Sequence, residues 1–486
     1  MIKLTLKRLM VTNALLLASG LATAQAADND QDALIKQGEY LARLGDCMAC
    51  HTTAGRPAYA GGLAIRSDLG TIYSTNITPD KQYGIGNYTE QQFADAVRKG
   101  VRPDGSYLYP AMPYPDYAAI SNTDIHALYT YFMHGVTASN SKPPATDMRF
   151  PFSQRWGMRF WNLIFTSDKP FQPIGGASAQ VNRGAYIAES LGHCGSCHTP
   201  RGFAMNEKAL HSDDRDFLAG GDLNGWDVPS LRGIARWSPQ EIVNYLQTGR
   251  NDKAGVAGEM TSVVENSTSH MTDADLQAIA AYLKFLGGNP PLQAYDQQKN
   301  QATTDTLTAA VNLTEGQTLY LNNCDACHFA NGLGAPGAFP QLDQAAVVNA
   351  QSPDGLIHII LQGAQLPSTP KAPSMLKMPA FAHRLSDDQV AKLATFVRQG
   401  WSNNAPAVTA DQVQKVRATL TQHCPRRSGP RRYRGPDSAQ MCGHVQHTVN
   451  HKLYAHTDQQ KAHQTGNGFD TAFTDQTHNR PGTAQA

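Results

Sequence analysis

The chain has 486 residues, of which 41% are hydrophobic and 17% are charged, so most of it can fold into globular structure. That length is too great for one hydrophobic core, and we expect about three or four compact units. The formal net charge is +1, but residues 27–422 carry 30 basic and 36 acidic side chains. This acidic balance argues against a nucleic-acid-binding protein.

The first 26 residues have the pattern of a secretory signal peptide. Three basic side chains precede the apolar run "ALLLASGLATA", and small residues follow at a spacing that suits cleavage after Ala24 or Ala26. The apolar run is short for a membrane span, and no later window is long and apolar enough to be one. We therefore expect residues 1–26 to be removed and the rest to be exported, with an uncleaved anchor as the alternative.

A short cysteine motif then occurs three times. It reads "GDCMACHTT" at 45–53, "HCGSCHTP" at 193–200 and "NCDACHFA" at 323–330, and each copy follows a similar segment that begins with glycine. Each copy also precedes an amphipathic segment that opens with Ser or Thr and an acid, starting at Ser121, Thr272 and Ser386. A hydroxyl followed by an acid is typical of a helix N-terminus. The pattern predicts three related units, each closed by one helix.

The repeat divides the chain into segments 27–170, 178–290 and 308–405, with linkers rich in helix-breaking residues between them. Strand patterns are scarce, so the units are predicted to be mainly α-helical with long loops. Beyond about residue 422 the sequence becomes rich in Arg and His with few large apolar residues. We predict that residues 422–486 are a disordered tail, because they cannot bury enough surface to offset the entropy of ordering. Cys424 and Cys442 in this tail either form a disulfide or lack a folded context.

The motif itself predicts covalent haem attachment. Cysteines at positions i and i+3 with a histidine at i+4 share one face of a helical turn, so two thiols can bond the haem vinyl groups while the imidazole binds iron. A disulfide, a redox-active thiol pair and half of a zinc site are the other interpretations. A zinc site needs a second set of ligands and a redox pair needs a βαβ context, and neither is present. We expect three haem c groups on Cys47, Cys50, Cys194, Cys197, Cys324 and Cys327, with His51, His198 and His328 as iron ligands.

A methionine on the opposite side of each iron would raise the reduction potential and suit electron transfer. Met112 in "YPAMPYP" and Met378 in "LKMPAF" are each followed by a proline that stiffens the loop. In the second unit Met260 follows the motif histidine by 62 residues, close to the 61 of the first unit, and we favour it over Met271. Met375 is the alternative in the third unit, and for each of these methionines a purely structural role in the core is the other interpretation.

The segments "LARLGDCMACHT", "YPAMPYP", "LGHCGSCHTPRG" and "MPAF", in this order behind a signal sequence, resemble the triheme cytochrome c subunits of quinohaemoprotein alcohol dehydrogenases of acetic acid bacteria. The resemblance covers roughly residues 1–420 and implies three tandem class I cytochrome c-like domains. The Arg- and His-rich tail departs from the family.

The resemblance also implies a function. A chain of this family has no catalytic residues and oxidises no substrate itself. A catalytic subunit with pyrroloquinoline quinone (PQQ) and its own haem would oxidise ethanol to acetaldehyde, and this chain would pass the electrons to ubiquinone. The expected location is the periplasmic side of the cytoplasmic membrane, peripherally bound to the membrane surface, and the complex can include a small third subunit.

Three other functions remain open. Flavin-dependent gluconate, sorbitol, fructose and aldehyde dehydrogenases have similar cytochrome subunits, so the electron donor can differ. A stand-alone haem enzyme, such as a di-haem peroxidase, would need one iron without a methionine ligand, and of the three favoured methionines Met260 is the one that no proline follows. A soluble electron shuttle would need no complex at all.

Overall fold

The computed structural model describes residues 29–287 and 294–422, apart from residues 224, 233 and 235. The predicted signal peptide, the tail beyond residue 422, Cys424 and Cys442 lie outside these residues. Within the described chain helices predominate and the strands are short, which confirms the prediction of a mainly helical protein.

The first cysteine motif lies in a stretch of six helices and a small antiparallel sheet of order β1-β2-β3. Its elements are α1 (29–44), α2 (Cys47–His51), β1 (Ala64–Ser67), β2 (Gly70–Tyr73), α3 (Glu90–Lys99), α4 (Tyr114–Tyr117), α5 (Asn122–Thr130), a π-helical turn (Tyr131–Gly135), β3 (Asp147–Met148), a 3-10 turn (Arg155–Gly157) and α6 (Met158–Phe165). Helix α5 begins where the sequence predicts, because the side chain of Ser121 accepts a hydrogen bond from the backbone N–H of Asp124.

The second motif lies in a similar stretch with one antiparallel strand pair. Its elements are α7 (Ala179–Glu189), α8 (Gly195–His198), β4 (Gly221–Leu223), β5 (Trp226–Val228), α9 (Pro239–Thr248), α10 (Met260–Asn266), a 3-10 turn (Thr268–His270) and α11 (Asp273–Phe285). Thr272 caps α11 through the N–H of Asp275, again as predicted.

The stretch around the third motif also has a helix before the motif and a long helix after it. Its elements are α12 (Gln297–Ala309), α13 (Glu315–Asn323), α14 (Asp325–His328), α15 (Ala346–Asn349), α16 (Asp354–Gln362), β6 (Ala364–Gln365), β7 (Lys377–Met378), α17 (Asp387–Gln399) and α18 (Ala410–Gln422). Here, however, the two strands follow α16 and do not precede it. Ser386 forms a capping box with Gln389 at the start of α17.

The glycine that begins each segment before a motif lies where two helices cross at very short distance. A Cβ atom would lie 2.0 Å from the Ala127 carbonyl oxygen if added at Gly38, 2.0 Å from that of Ala278 at Gly184, and 2.5 Å from that of Lys392 at Gly316. Only glycine permits such an approach. The same crossing therefore occurs three times, between α1 and α5, between α7 and α11, and between α13 and α17.

The buried apolar side chains form two main clusters. One extends from Leu41 to Leu283 and joins the first two stretches, and the other, from Leu307 to Val416, belongs to the third. The hydroxyl of Tyr40 on α1 donates to Asp275 on α11 at 2.7 Å, which ties the first two stretches together at the edge of their core. The first two motifs are thus built on one continuous core.

Candidate haem sites

Each cysteine motif forms one short helical turn, as its spacing predicts. Helix α2 contains the whole first motif, whereas Cys194 and Cys324 are the N-terminal caps of α8 and α14. All six motif cysteines are free thiols. Two thiols and an imidazole on one turn are the donor set that covalent haem c requires.

The three motif histidines have the same hydrogen-bonding partner, a backbone carbonyl. The Nδ1 atom lies 2.7 Å from the Thr75 oxygen in His51, 2.8 Å from that of Pro229 in His198, and 2.9 Å from that of Pro340 in His328. A carbonyl only accepts, so Nδ1 carries the proton and the Nε2 lone pair is left for a metal. Burial lowers the pKa of all three imidazoles, which favours the neutral form that binds iron.

The backbone carbonyl group of each motif histidine also has an equivalent hydrogen-bonding partner in all three units. The carbonyl oxygens of His51, His198 and His328 accept hydrogen bonds from the N–H groups of Gly61 (2.7 Å), Gly220 (2.8 Å) and Gly334 (3.2 Å), respectively. These glycines have φ values of 66°, 93° and 60°, in the region that favours glycine. The loops that return to the three motifs are therefore held by equivalent contacts.

Five of the six motif thiols have the raised pKa of unreactive groups. Burial raises the pKa of Cys47, Cys50 and Cys194 to about 12 and that of Cys197 to about 11. Burial likewise raises the pKa of Cys324 to about 12. A redox-active thiol pair instead has a lowered pKa and an exposed thiolate. The motifs therefore fit thioether bonds to haem better than disulfide exchange.

The predicted methionine ligands of the first and third units lie at the edges of the two main cores. Met112 precedes α4 and packs against the core of the first two stretches, and Met378 on β7 packs against the third core. The alternative Met375 is 48% exposed, and its sulfur accepts a hydrogen bond from Gln365 at 3.4 Å. Its surface position favours Met378 as the ligand.

The two candidates of the second unit have different surroundings. Met260 is the first residue of α10 and packs on a small cluster that includes Val256 and Val264. Met271 is buried in the core of the first two stretches, only 6% exposed, where a core role explains it. These surroundings favour Met260 as the ligand.

The structure brings the first two motifs close together. Burial is the main cause of the raised pKa of Cys50, and the carboxylate of Glu259 and the thiol of Cys197 raise it further. Glu259 also raises the pKa of Cys197, so its carboxylate lies near both motifs. Helix α10, which begins at the next residue, packs against α2. No comparable link joins the third motif to the others within the described ranges.

A buried pair of acids beside the second motif was missed at the sequence level. Asp116 on α4 is fully buried, and its Oδ2 accepts a hydrogen bond from the Ser196 hydroxyl at 3.1 Å. Glu207 Oε1 lies 3.4 Å from the same hydroxyl as an alternative acceptor, and Arg201 lies 3.5 Å from that carboxylate. Burial, reinforced by the charge of Glu207, raises the pKa of Asp116 well above its usual range, and burial raises that of Glu207. The close approach of two buried carboxyl groups therefore favours the protonated form of one of them.

Comparison with known proteins identifies the family. Residues 313–401 match the family model described as "Cytochrome c", and residues 179–283 match "Cytochrome C oxidase, cbb3-type, subunit III". The chain is 45% identical over 429 residues to the alcohol dehydrogenase (quinone), cytochrome c subunit of Komagataeibacter europaeus, covering 85% of this chain and 91% of that protein. The chain belongs to the family of dehydrogenase cytochrome c subunits. As a cytochrome c it binds haem c covalently. The resemblance to the cytochrome c subunits of alcohol dehydrogenases is confirmed.

Other dehydrogenase cytochrome c subunits are nearly as similar. The gluconate 2-dehydrogenase cytochrome c subunit of Pantoea cypripedii is 44% identical over 419 residues, covering 84% of this chain and 95% of that protein. The fructose dehydrogenase cytochrome subunit of Gluconobacter japonicus is 36% identical over 414 residues, covering 79% of this chain and 82% of that protein. In the part of the chain that the structure describes, no helix has the length and apolar character needed to cross a membrane. The family confirms the prediction of an electron-transfer subunit.

Proposed function

We propose that this subunit carries three haem c groups, each in its own class I cytochrome c-like domain (27–170, 178–290 and 308–405). The observation that carries the proposal is the repeated bond from histidine Nδ1 to a backbone carbonyl, since it leaves Nε2 free at all three motifs. The glycine crossing found once in each segment supports three repeated domains. When bound, haem c supplies one-electron redox chemistry at iron.

Three kinds of side chain in each unit would hold the haem c group: two cysteines, one histidine and one methionine. The paired thiols of each motif would form the covalent bonds to haem c, and the motif histidine, oriented by its carbonyl partner, would bind iron through Nε2. Met112, Met260 and Met378 are the proposed second protein ligands of the three irons, where a thioether would favour the reduced state and exclude substrate from the metal. This ligand set would suit electron transfer and would leave no open position for a peroxidase.

The proposed electron donor is a catalytic subunit that contains PQQ and haem and oxidises ethanol to acetaldehyde. The proposed acceptor is ubiquinone, with the chain peripherally bound at the periplasmic side of the cytoplasmic membrane and with a small third subunit in the complex. The 45% identity to subunits named for quinone-dependent alcohol dehydrogenase supports this donor. Gluconate is the second candidate substrate, because a gluconate 2-dehydrogenase subunit is 44% identical.

Haem content tests the first part of the proposal. The holoprotein should contain three haem c per chain in a pyridine haemochrome assay. The Cys47→Ala/Cys50→Ala double variant should contain two, since it lacks the first pair of thiols. Cys424→Ala, which changes a cysteine outside the motifs, is the control and should retain three. Three haems in the double variant would refute the assignment of the first motif.

Optical spectra test the methionine ligand of the second unit. Met260→Leu should remove one of three sulfur-to-iron charge-transfer contributions at the red end of the oxidised spectrum, whereas Met271→Leu should leave all three. The opposite result would transfer the ligand role to Met271. If neither variant changes the band, neither methionine is a ligand.

The substrate is tested on the complex purified from solubilised membranes of the native source. Rapid reduction of the haem c of this chain by ethanol, with a large PQQ-containing subunit present, would support the alcohol dehydrogenase. Reduction by gluconate and not by ethanol would retain the electron-transfer role and replace the donor.

A further inference from the structure

Helix α6 exposes a face of large apolar side chains. Phe160, Leu163 and Ile164 are 59%, 82% and 69% exposed, and Trp156 in the preceding turn is 67% exposed. Positions 156, 160, 163 and 164 share one face of a helix, and a soluble protein normally buries such a face. The opposite side, with Trp161 and Phe165, is partly buried, so α6 has apolar side chains on both sides and leaves one of them exposed.

Polar contacts on the other side of α6 fix this orientation. The side-chain oxygen of Asn162 accepts a hydrogen bond from the Tyr114 hydroxyl at 2.7 Å, and its amide nitrogen donates to the Lys99 carbonyl at 3.2 Å. The indole N–H of Trp161 donates to the Ala204 carbonyl at 3.0 Å. Rotation of α6 to bury the exposed face would break all three bonds, so its exposure is built into the fold.

A loop from the second stretch extends this surface. Phe203 is 96% exposed, and its ring meets that of Phe165 on α6 edge to face with 6.0 Å between the ring centroids. We call Trp156, Phe160, Leu163, Ile164 and Phe203 the aromatic face. A monomeric soluble protein rarely exposes so many large apolar side chains together, so the surface is expected to have a partner.

The charges around the aromatic face indicate what that partner is. Residues 149–166 include Arg149, Arg155 and Arg159 and no acidic residue, although the region 27–422 as a whole is acidic. Arg159 is exposed beside the apolar side chains. Trp, Phe and Leu on one face with arginine at its border is the composition of helices that lie in a membrane interface. Phe203 also protrudes almost completely, which suits insertion into fluid lipid better than docking on a rigid protein surface.

We propose that the aromatic face inserts into the headgroup and outer acyl region of an anionic phospholipid bilayer and holds the chain against the membrane. This inference deepens the proposed function, since it rests on the peripheral membrane location and names the surface responsible. It places α6, and with it the Tyr114 end of the loop that carries Met112, next to the membrane.

Vesicle sedimentation with the full-length holoprotein tests the proposal. Wild-type protein should bind vesicles of phosphatidylethanolamine with phosphatidylglycerol and bind phosphatidylcholine vesicles more weakly. Leu163→Glu/Phe203→Glu should weaken binding to the anionic vesicles at least tenfold, because it puts two carboxylates on the aromatic face. The matched control is Phe285→Glu/Val311→Glu, which makes the same charge change at two exposed apolar residues elsewhere, 49% and 63% exposed.

Each outcome decides the proposal. Unchanged binding of Leu163→Glu/Phe203→Glu, or equal weakening in the control, would overturn it. Unchanged vesicle binding combined with loss of co-purification with the catalytic subunit would also overturn it and assign the face to a protein partner. Haem content and reduction by substrate are measured on the same samples. Fewer than three haems, or no reduction by substrate, with normal vesicle binding would contradict the electron-transfer proposal and leave the membrane proposal intact.

Discussion

At the crossing of α7 and α11, helix propensity and tertiary packing predict opposite effects of a glycine-to-alanine substitution on stability. Gly184 lies within α7, where replacement by alanine normally stabilises a helix by about 1 kcal/mol. In the structure, however, the added Cβ would lie 2.0 Å from the Ala278 carbonyl oxygen and 2.7 Å from the Cβ of Tyr282. We predict that Gly184→Ala destabilises the protein.

The size of the effect follows from the distance. A carbon and a carbonyl oxygen in contact are normally roughly 3.3 Å apart, so the two helices must separate by about 1 Å. Overpacking typically costs about 1–3 kcal/mol, and the upper end, about 3 kcal/mol, applies here because neither neighbouring atom belongs to a flexible side-chain end. After the gain in helix propensity we expect a net loss of about 2 kcal/mol in the free energy of unfolding. That loss corresponds to a fall of roughly 4–8 °C in Tm for a folding unit of this size.

Thermal unfolding of the holoprotein, followed by far-ultraviolet circular dichroism, measures this change. Gly157→Ala is the matched control, because Gly157 has a φ of −60° and nothing lies within 4 Å of the added Cβ. That variant should change stability by less than about 0.5 kcal/mol. A Gly184→Ala protein as stable as the wild type would refute the inference that backbone contact selects glycine at this crossing.

Two further predictions concern buried polar groups. Because the pKa of Asp116 is raised by burial and by Glu207, the folded protein holds a proton that the unfolded chain releases above about pH 3.9. Stability should therefore fall as pH rises from about 4 toward the raised pKa of Asp116. Asp116→Asn should flatten this slope in urea midpoints measured against pH, whereas Asp168→Asn, at an exposed acid, should not. Arg398, 1% exposed, donates to three backbone carbonyls at 2.9 Å, and Arg398→Lys should cost about 2–4 kcal/mol in urea unfolding because lysine cannot reach all three. A loss below about 0.5 kcal/mol would show that those carbonyls do not depend on the guanidinium.

Local patterns in the sequence determined the chemistry of the chain and the starts of its main helices. The cysteine motif encodes its own geometry, because i, i+3 and i+4 meet within a single helical turn. The caps at Ser121, Thr272 and Ser386 were predictable for the same reason, since each hydroxyl bonds a backbone N–H three residues away. The resemblance to dehydrogenase cytochrome c subunits rested on short segments around the cysteine motifs and the methionines, and the comparison with known proteins confirmed it.

Contacts between distant residues were decided only by the tertiary structure. The carbonyl that orients His51 comes from Thr75, and no local pattern marks that residue as its partner. Asp116 and Ser196 are 80 positions apart and meet because the first two stretches share one core, which the repeat alone did not indicate.

Which face of α6 is exposed to solvent was also decided only by the tertiary structure. Its sequence puts large apolar residues on most of its circumference, and the usual assumption would bury the face that contains Phe160, Leu163 and Ile164. Asn162 instead turns inward, because Tyr114 and Lys99 offer it hydrogen bonds at the surface of the neighbouring helices. A pattern of 3.6 residues per turn fixes which side chains share a face, but only the partners supplied by the rest of the fold determine which face is turned to the solvent.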